Sequence, residues 1–262
     1  MKFYAQSFDD INKRNYQEDY NIIKESNDET ELFIGIYDGH GGSYISNYLN
    51  NNLVHYIFNQ QTLTKIKIMN VYKKINKIFE NNYYDEAMYS GSTAIFVLLK
   101  NIKQKIYCTI ANLGDCRCII VNSKMKKTFS TIDHKPNNIN EKKRIEKLGG
   151  KVYFDGFSWR IGNLNLTRAF GDFDAKPYIS NIPDVNILKL KKDDKFIIIA
   201  SDGFWDTVSI KECITILKQY INSLNKKFIE LEEIEDLNTI LCKTAIANKS
   251  HDNITIATVI IQ

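Results

Sequence analysis

Two apolar runs in this chain end the same way, in a carboxylate followed by a glycine. Leu32-Phe33-Ile34-Gly35-Ile36 leads through Tyr37 into Asp38-Gly39-His40-Gly41-Gly42. Phe196-Ile197-Ile198-Ile199-Ala200 leads through Ser201 into Asp202-Gly203-Phe204-Trp205-Asp206. Short apolar runs rich in β-branched and aromatic residues, bounded by turn residues, read as buried strands. Each run therefore sets a carboxylate at the end of a rigid element. The glycine after it lets the backbone turn sharply and leaves a carbonyl exposed. Carboxylate and carbonyl oxygens are the ligands of hard divalent cations. Two such corners, far apart in sequence, call for a fold that assembles one metal site from both.

A chain of 262 residues can bury a full core, and a single domain over residues 1–262 is expected. The net charge of +4 is spread over interspersed acids and bases, which argues against nucleic acid as a partner. Lysine-rich pieces such as Lys124-Met125-Lys126-Lys127 read as surface turns. Cys108, Cys116, Cys118, Cys213 and Cys242 show neither zinc-ligand pairing nor an even disulfide framework. No apolar signal region opens the chain, no run is long enough to cross a bilayer, and Lys2 excludes an N-myristoylation signal. A cytoplasmic or nuclear monomer without membrane insertion is expected.

Strand-like runs recur at Ser92–Leu99, Lys105–Ala111, Cys116–Val121, Phe196–Ala200 and Ile254–Ile261. Ile45, Leu49, Leu53 and Tyr56 form one helical stripe, and Ile68, Val71, Tyr72, Ile75, Ile78 and Phe79 form a second. Further helices are expected at Ile139–Leu148, Ser209–Ile221 and Leu237–Asn248. The order of elements is α+β, without the regular alternation of a doubly wound sheet. Asn222–Glu235 turns acidic at Glu230–Glu235 and reads either as a helix start with a solvated face or as a partner site.

Acidic residues border apolar runs five times: Glu18 and Asp19, Asp38, Asp115, Asp202, and Asp252. A lone Asp-Gly corner is ordinarily a plain turn. Recurrence with the same chemistry is what singles these out. Asp202 and Asp206 are four apart, so one helical turn places both on one face.

At this point the chain resembles the metal-dependent serine/threonine protein phosphatases of the PPM (PP2C) family. Arg14-Asn15-Tyr16-Gln17-Glu18-Asp19 is similar to the family's first box and Tyr37–Gly42 to its second. Ser90-Gly91-Ser92-Thr93-Ala94 and Ala111–Arg117 match the next two. Asp133-His134-Lys135-Pro136 with Glu141, Arg144 and Gly149-Gly150 follows. Leu166-Thr167-Arg168-Ala169-Phe170-Gly171-Asp172, Ser201–Asp206 and Ser250–Thr255 complete the order. Departures are small: Gln17, Cys116 and the order Gly162-Asn163.

The resemblance implies a four-layer αββα sandwich, two mainly antiparallel sheets flanked by helices. It implies hydrolysis of phosphoserine and phosphothreonine on phosphoprotein substrates. Glu18, Asp38, the Gly39 carbonyl, Asp202 and Asp252 would hold two Mg²⁺ or Mn²⁺ ions, all-oxygen ligation suiting those metals. Asp115 and Asp206 would hold a weaker third. Water bridging the two ions would be the nucleophile, Arg14 would bind phosphate, and His40 would be the general acid. Arg168 is expected in a structural ion pair, and Trp159 and Trp205 in the core. His55, His134 and His251 are expected to be structural. The Val152–Trp159 segment, a variable flap in the family, is short here. A phosphatase-like binding module without turnover and a hydrolase of small phosphate esters are the competing readings. Cys116, beside Asp115, is a candidate for oxidation.

Overall fold

The computed structural model describes residues 2–58, 60–226 and 228–262. Met1, Asn59 and Lys227 lie outside the described residues, Lys227 within the Asn222–Glu235 segment. The strands in chain order are β1 (Phe3–Asp10), β2 (Tyr20–Glu25), β3 (Glu31–Tyr37), β4 (Gly39–His40), β5 (Gly91–Ser92), β6 (Ala94–Ile102), β7 (Lys105–Leu113) and β8 (Arg117–Asn122). They continue with β9 (Lys127–Ser130), β10 (Tyr153–Phe154), β11 (Trp159–Arg160), β12 (Phe170–Gly171), β13 (Asp184–Lys189), β14 (Asp194–Ala200) and β15 (Ile254–Ile261). The helices are α1 (Tyr44–Ile57), α2 (Lys65–Asn82), α3 (Ile139–Lys147), α4 (Asp202–Trp205), α5 (Ile210–Leu224) and α6 (Leu231–Ala247).

Two five-stranded sheets carry the molecule, ordered β1-β15-β14-β8-β9 and β13-β7-β6-β3-β2, and all their pairings are antiparallel. Strand alternation divides their side chains between two faces. Ile34, Ile36, Ile95 and Val97 of one sheet meet Ile197, Ile199, Ala257 and Val259 of the other in the central layer. On the outer faces, Phe33 and Phe96 pack against Leu49, Leu53, Tyr72 and Phe79 of α1 and α2. Ile198 and Ile256 pack against Leu217 of α5 and Leu237 and Leu241 of α6. Helix, sheet, sheet, helix is thus the layer order, as the resemblance implied. The helical stripes read from periodicity are these outer contacts.

The remaining expectations are met unevenly. β5 and β6 split the expected Ser92–Leu99 strand at Thr93, whose N–H donates to the Asp38 carbonyl at 2.9 Å. The acidic segment is the start of α6: the Glu230 side chain accepts from the N–H of residue 233, and the Glu233 side chain accepts from the Glu230 N–H. Trp205 is buried, but Trp159 is 38% exposed. The reason is topological: among the described residues β10 and β11 pair only with each other, so their hairpin extends no larger sheet. Among the described residues, no helix is long and apolar enough to cross a membrane.

Candidate metal centre and acid cleft

Sheet register sets the site. Ile36 lies opposite Ile95, and Ala94 lies opposite Leu113, so β3 and β7 end at the same edge of their sheet. Ala200 pairs with Ile256, which brings the end of β14 to the start of β15. Asp38, Asp115, Asp202 and Asp252 leave from these ends. One carboxylate oxygen from each of Asp38, Asp115 and Asp202 lies within 4.8 Å of the others. Both oxygens of Asp115 are buried and have no hydrogen-bond partner.

Backbone contacts fix the surrounding groups. The Asp38 N–H donates to Thr93 Oγ1 at 3.1 Å. The Ser201 N–H donates to the Thr255 carbonyl, and the Thr255 N–H donates to Ser201 Oγ, each at 3.0 Å. The Asp206 N–H donates to the Asp202 carbonyl at 2.8 Å, the helical turn expected from their spacing. Gly203 is required here, because a Cβ would collide with the Asn253 carbonyl. Glu18 is buried and accepts from the Gly42 N–H at 2.6 Å. Asn253 accepts from the Glu18 N–H at 2.9 Å and donates to the Ile11 and Tyr16 carbonyls, which ties the Arg14 loop to the Asp252 corner. Arg14 Nη2 donates to Asp252 Oδ2 at 2.7 Å. A cavity of about 420 Å³ is lined by Arg14, Asp202, Asp206 and Asp252. A larger one, about 850 Å³, lies between α5 and the Lys124–Lys126 turn and has no acidic side chain in its wall.

The electrostatics are those of crowded anions. Burial raises Asp38 well above the usual carboxylate range, and the charges of Asp19, Asp202, Asp115 and Asp252 add to it. Asp202 is raised for the same reasons, burial first and then Asp115 and Asp206. Asp115 is pushed up by burial to about 6, with Lys135 pulling the other way. Acids raised by burial and by one another call for a cation between them. The orphaned oxygens of Asp115 and the all-oxygen donor set fit Mg²⁺ or Mn²⁺.

His40 lies on β4, near enough to Asp115 and Glu18 to feel their charges. Its Nε2 lies 2.8 Å from both carboxylate oxygens of Asp172. Burial opposes protonation of the ring, yet Asp172, Asp115 and Glu18 together outweigh it and raise the His40 pKa. Arg168 pairs with Glu141 and Asp184, the structural ion pair expected for it.

Three residues escape a reading by ligand type. Asp19 is buried, accepts from Thr255 Oγ1 at 2.7 Å, and is pushed up by burial to about 7. Its signal was its place in the Glu18-Asp19 pair. Lys135 bonds Asp206 and lies 3.7 Å from Asp115, so an ammonium stands between the two acids expected to share a third ion. Its signal was the Asp133–Pro136 box. Asp172 had its signal in the Gly171-Asp172 pair.

The family model described as Protein phosphatase 2C matches residues 6–254. Probable protein phosphatase 2C 52 of Oryza sativa subsp. japonica is 36% identical over 250 residues, covering 93% of this chain and 47% of that protein. Probable protein phosphatase 2C 76 of Arabidopsis thaliana is 33% identical over 250 residues, covering 93% and 55%. The chain thus spans about half the length of these relatives. Among solved structures, a serine-threonine phosphatase 2C from Toxoplasma gondii superposes with a TM-score of 0.77 at 24% identity, covering 99% of this chain and 95% of that one. A C. elegans sex determining protein superposes with a TM-score of 0.83 at 22% identity, covering 100% and 65%. At these identities the structural likeness speaks to the fold.

Proposed function

The chain belongs to the protein phosphatase 2C family, and from that premise we propose that it acts as one domain that hydrolyses phosphoserine and phosphothreonine esters on proteins. The observation that carries the reading is the convergence of Asp38, Asp115 and Asp202, with the Asp115 oxygens left unpartnered, beside Arg14 and His40. Glu18, Asp38, the Gly39 carbonyl, Asp202 and Asp252 would hold two Mg²⁺ or Mn²⁺ ions, and Asp115 and Asp206 a third. Bound divalent ions polarise phosphoryl oxygens and acidify water.

The chain's own residues do the rest. Arg14, half exposed at the cleft mouth, exchanges Asp252 for the phosphate oxygens of the substrate. Its planar fork suits a tetrahedral oxyanion better than a lysine ammonium does. His40, protonated through its pairing with Asp172, gives a proton to the departing serine or threonine oxygen. Lys135 keeps Asp206 close to Asp115. The cytoplasm or nucleus is the proposed compartment, with phosphoproteins as substrates.

The test is turnover of a phosphothreonine peptide by wild type and Asp202→Asn, each with and without Mn²⁺. Cation-dependent turnover in wild type, lost in a folded Asp202→Asn protein, supports the reading. Cation binding without turnover of any phosphoprotein would instead make the chain a binding module.

A further inference from the structure

Asp172 is built with unusual care for a residue that reaches no cleft ligand. It is 1% exposed, and its carboxylate has one hydrogen-bond partner among the described residues, the His40 ring. Its φ is +50°, the left-handed region, which Asp and Asn enter more readily than other non-glycine residues and which the surroundings enforce here. The enforcement is visible. The Asp172 N–H donates to the Ser90 carbonyl at 3.1 Å, and the Phe173 N–H donates to the Ala87 carbonyl at 3.1 Å.

The three-stranded sheet β4-β5-β12 explains how residues so far apart in sequence meet. Gly91 pairs with His40 on one side and with Gly171 on the other, so Asp172 follows directly beside the ring. A Cβ on Gly91 would collide with Asp172 Oδ2 and His40 Nε2. The ion pair therefore fills the space that glycine leaves. No other partner holds the ring: Nδ1 has no hydrogen bond among the described residues.

We infer that Asp172 is a positioning residue for proton transfer, holding the Nε2–H of His40 so that Nδ1 is the ring nitrogen that serves the leaving group. This rests on the phosphatase reading and goes beyond it by naming the atom and its support. In the step, the ester P–O bond breaks and its electron pair goes to the serine or threonine oxygen. Nδ1–H supplies the proton that makes this oxygen a hydroxyl. Water supplies the oxygen of the new P–O bond, and the proton it sheds returns to the ring through solvent. The carboxylate keeps the ring in one tautomer and one orientation throughout, the part an orienting acid plays in a hydrolytic triad.

The test compares leaving groups. A serine or threonine alkoxide needs a proton as it departs, whereas the aryl oxide of p-nitrophenyl phosphate does not. Asn tolerates the left-handed region as Asp does, so Asp172→Asn keeps the backbone and removes the charge. Its kcat on a phosphothreonine peptide should fall by about 10- to 100-fold, part of the full worth of a general acid, and on the aryl ester by under about 3-fold. Gly91→Ala, which pushes the pair apart, should show the same split. Ring ¹⁵N shifts of His40 in wild type, read where the imidazole is neutral, should show the proton on Nε2, and Asp172→Asn should mix the tautomers.

A neutral wild-type ring protonated on Nδ1 overturns the inference without recourse to any variant. So does equal slowing of both substrates in Asp172→Asn and Gly91→Ala. His40→Ala separates the two levels. If it slows both substrates alike, the acid role of His40 falls and this inference with it. If it is selective and Asp172→Asn is not, the acid role stands and Asp172 is merely structural.

Discussion

Two acidic centres in this molecule face opposite ways electrostatically. In the cleft, Asp19 and Asp115 are buried, Asp38 and Asp202 are half-buried beside them, and all four are raised. About the Asp133–Arg144 stretch, Glu141 is as buried as Asp19 and Asp115. Burial pushes it up too, but Arg168 and Arg144 hold it down to about 2. Asp184, 3.3 Å from His134 Nε2 and paired with Arg168, is held low as well. The same side-chain chemistry gives a finished ion-pair network in one place and an unfinished one in the other. The protein supplies arginines to Glu141 and withholds enough cations from the cleft. That difference marks the cleft as a place for a ligand, because buried charge without a partner is costly.

The comparison is most open to attack at Asp202. Asp202→Asn should cut metal-dependent turnover by more than about 100-fold, since even residues that only support metal ligands cost 10- to 100-fold. It should also raise the melting temperature of the cation-free protein, because it removes one of the crowded charges. A lower melting temperature, with turnover retained, would break the idea that the cleft is unfinished.

Arg14→Ala should raise the KM for phosphopeptide and weaken inhibition by inorganic phosphate by about 10- to 100-fold, the worth of a lost charge-assisted pair. Arg14→Lys should recover only part of it. Calorimetric Mn²⁺ titration should change little, although Asp252 loses its partner. Unaltered phosphate inhibition in Arg14→Ala would confine Arg14 to the Asp252 pair.

Glu141→Ala sharpens the other side. It takes away the carboxylate that Arg144 and Arg168 share, and should cost about 2–3 kcal/mol in urea unfolding, less than a fully buried pair because Arg168 keeps Asp184 and Arg144 keeps some solvent. Unlike Asp202→Asn, it should do so equally with and without Mn²⁺.

The two centres should also separate with pH. For Asp19 and Asp115 the folded carboxyls sit at about 7 and about 6, above the ordinary value of 3.8. Between these limits the folded state binds more protons than the unfolded one, so stability falls as pH rises from about 4 to about 7. Glu141 has the opposite sign: its stabilisation is present above the unfolded value of 4.5 and is lost as pH falls towards about 2. Melting curves in EDTA should therefore drop by several degrees from pH 5 to pH 7.5, and Mn²⁺ should reverse most of the drop at the higher pH.

The smallest effect is expected at Cys116. Its thiol is fully buried, raised well above the usual range by burial and then by the Asp38 charge, and lies 3.1 Å from Thr93 Oγ1. A thiol held protonated reacts poorly. Cys116→Ser should leave peroxide inactivation unchanged, and protection by the substitution would make Cys116 a redox site after all.

Much of this was readable in the residues. Strand runs and helical stripes are short-range patterns, and they gave β3, β6, β7, β8, β14 and β15, the faces of α1 and α2, and the position of α5. The acids at strand ends were legible because each sits beside its own apolar run. β1 and β13 were not legible, since half-buried strands such as Tyr4–Asp10 carry polar residues on one face. The exposed Trp159 hairpin was not legible either, because composition does not say whether a hairpin extends a larger sheet.

By itself the sequence determined which groups exist for chemistry: carboxylates and carbonyls for a hard cation, an arginine fork for an oxyanion, a histidine for proton transfer. These are properties of side-chain type and local spacing. Only the tertiary structure decided how they pair. Lys135 between Asp115 and Asp206, Arg14 on Asp252, and Asp172 behind His40 depend on strand register across long loops. Whether a buried carboxylate is a structural anion or a ligand depends on the nearest cation. That distance is a property of the packed chain, and no window of sequence contains it.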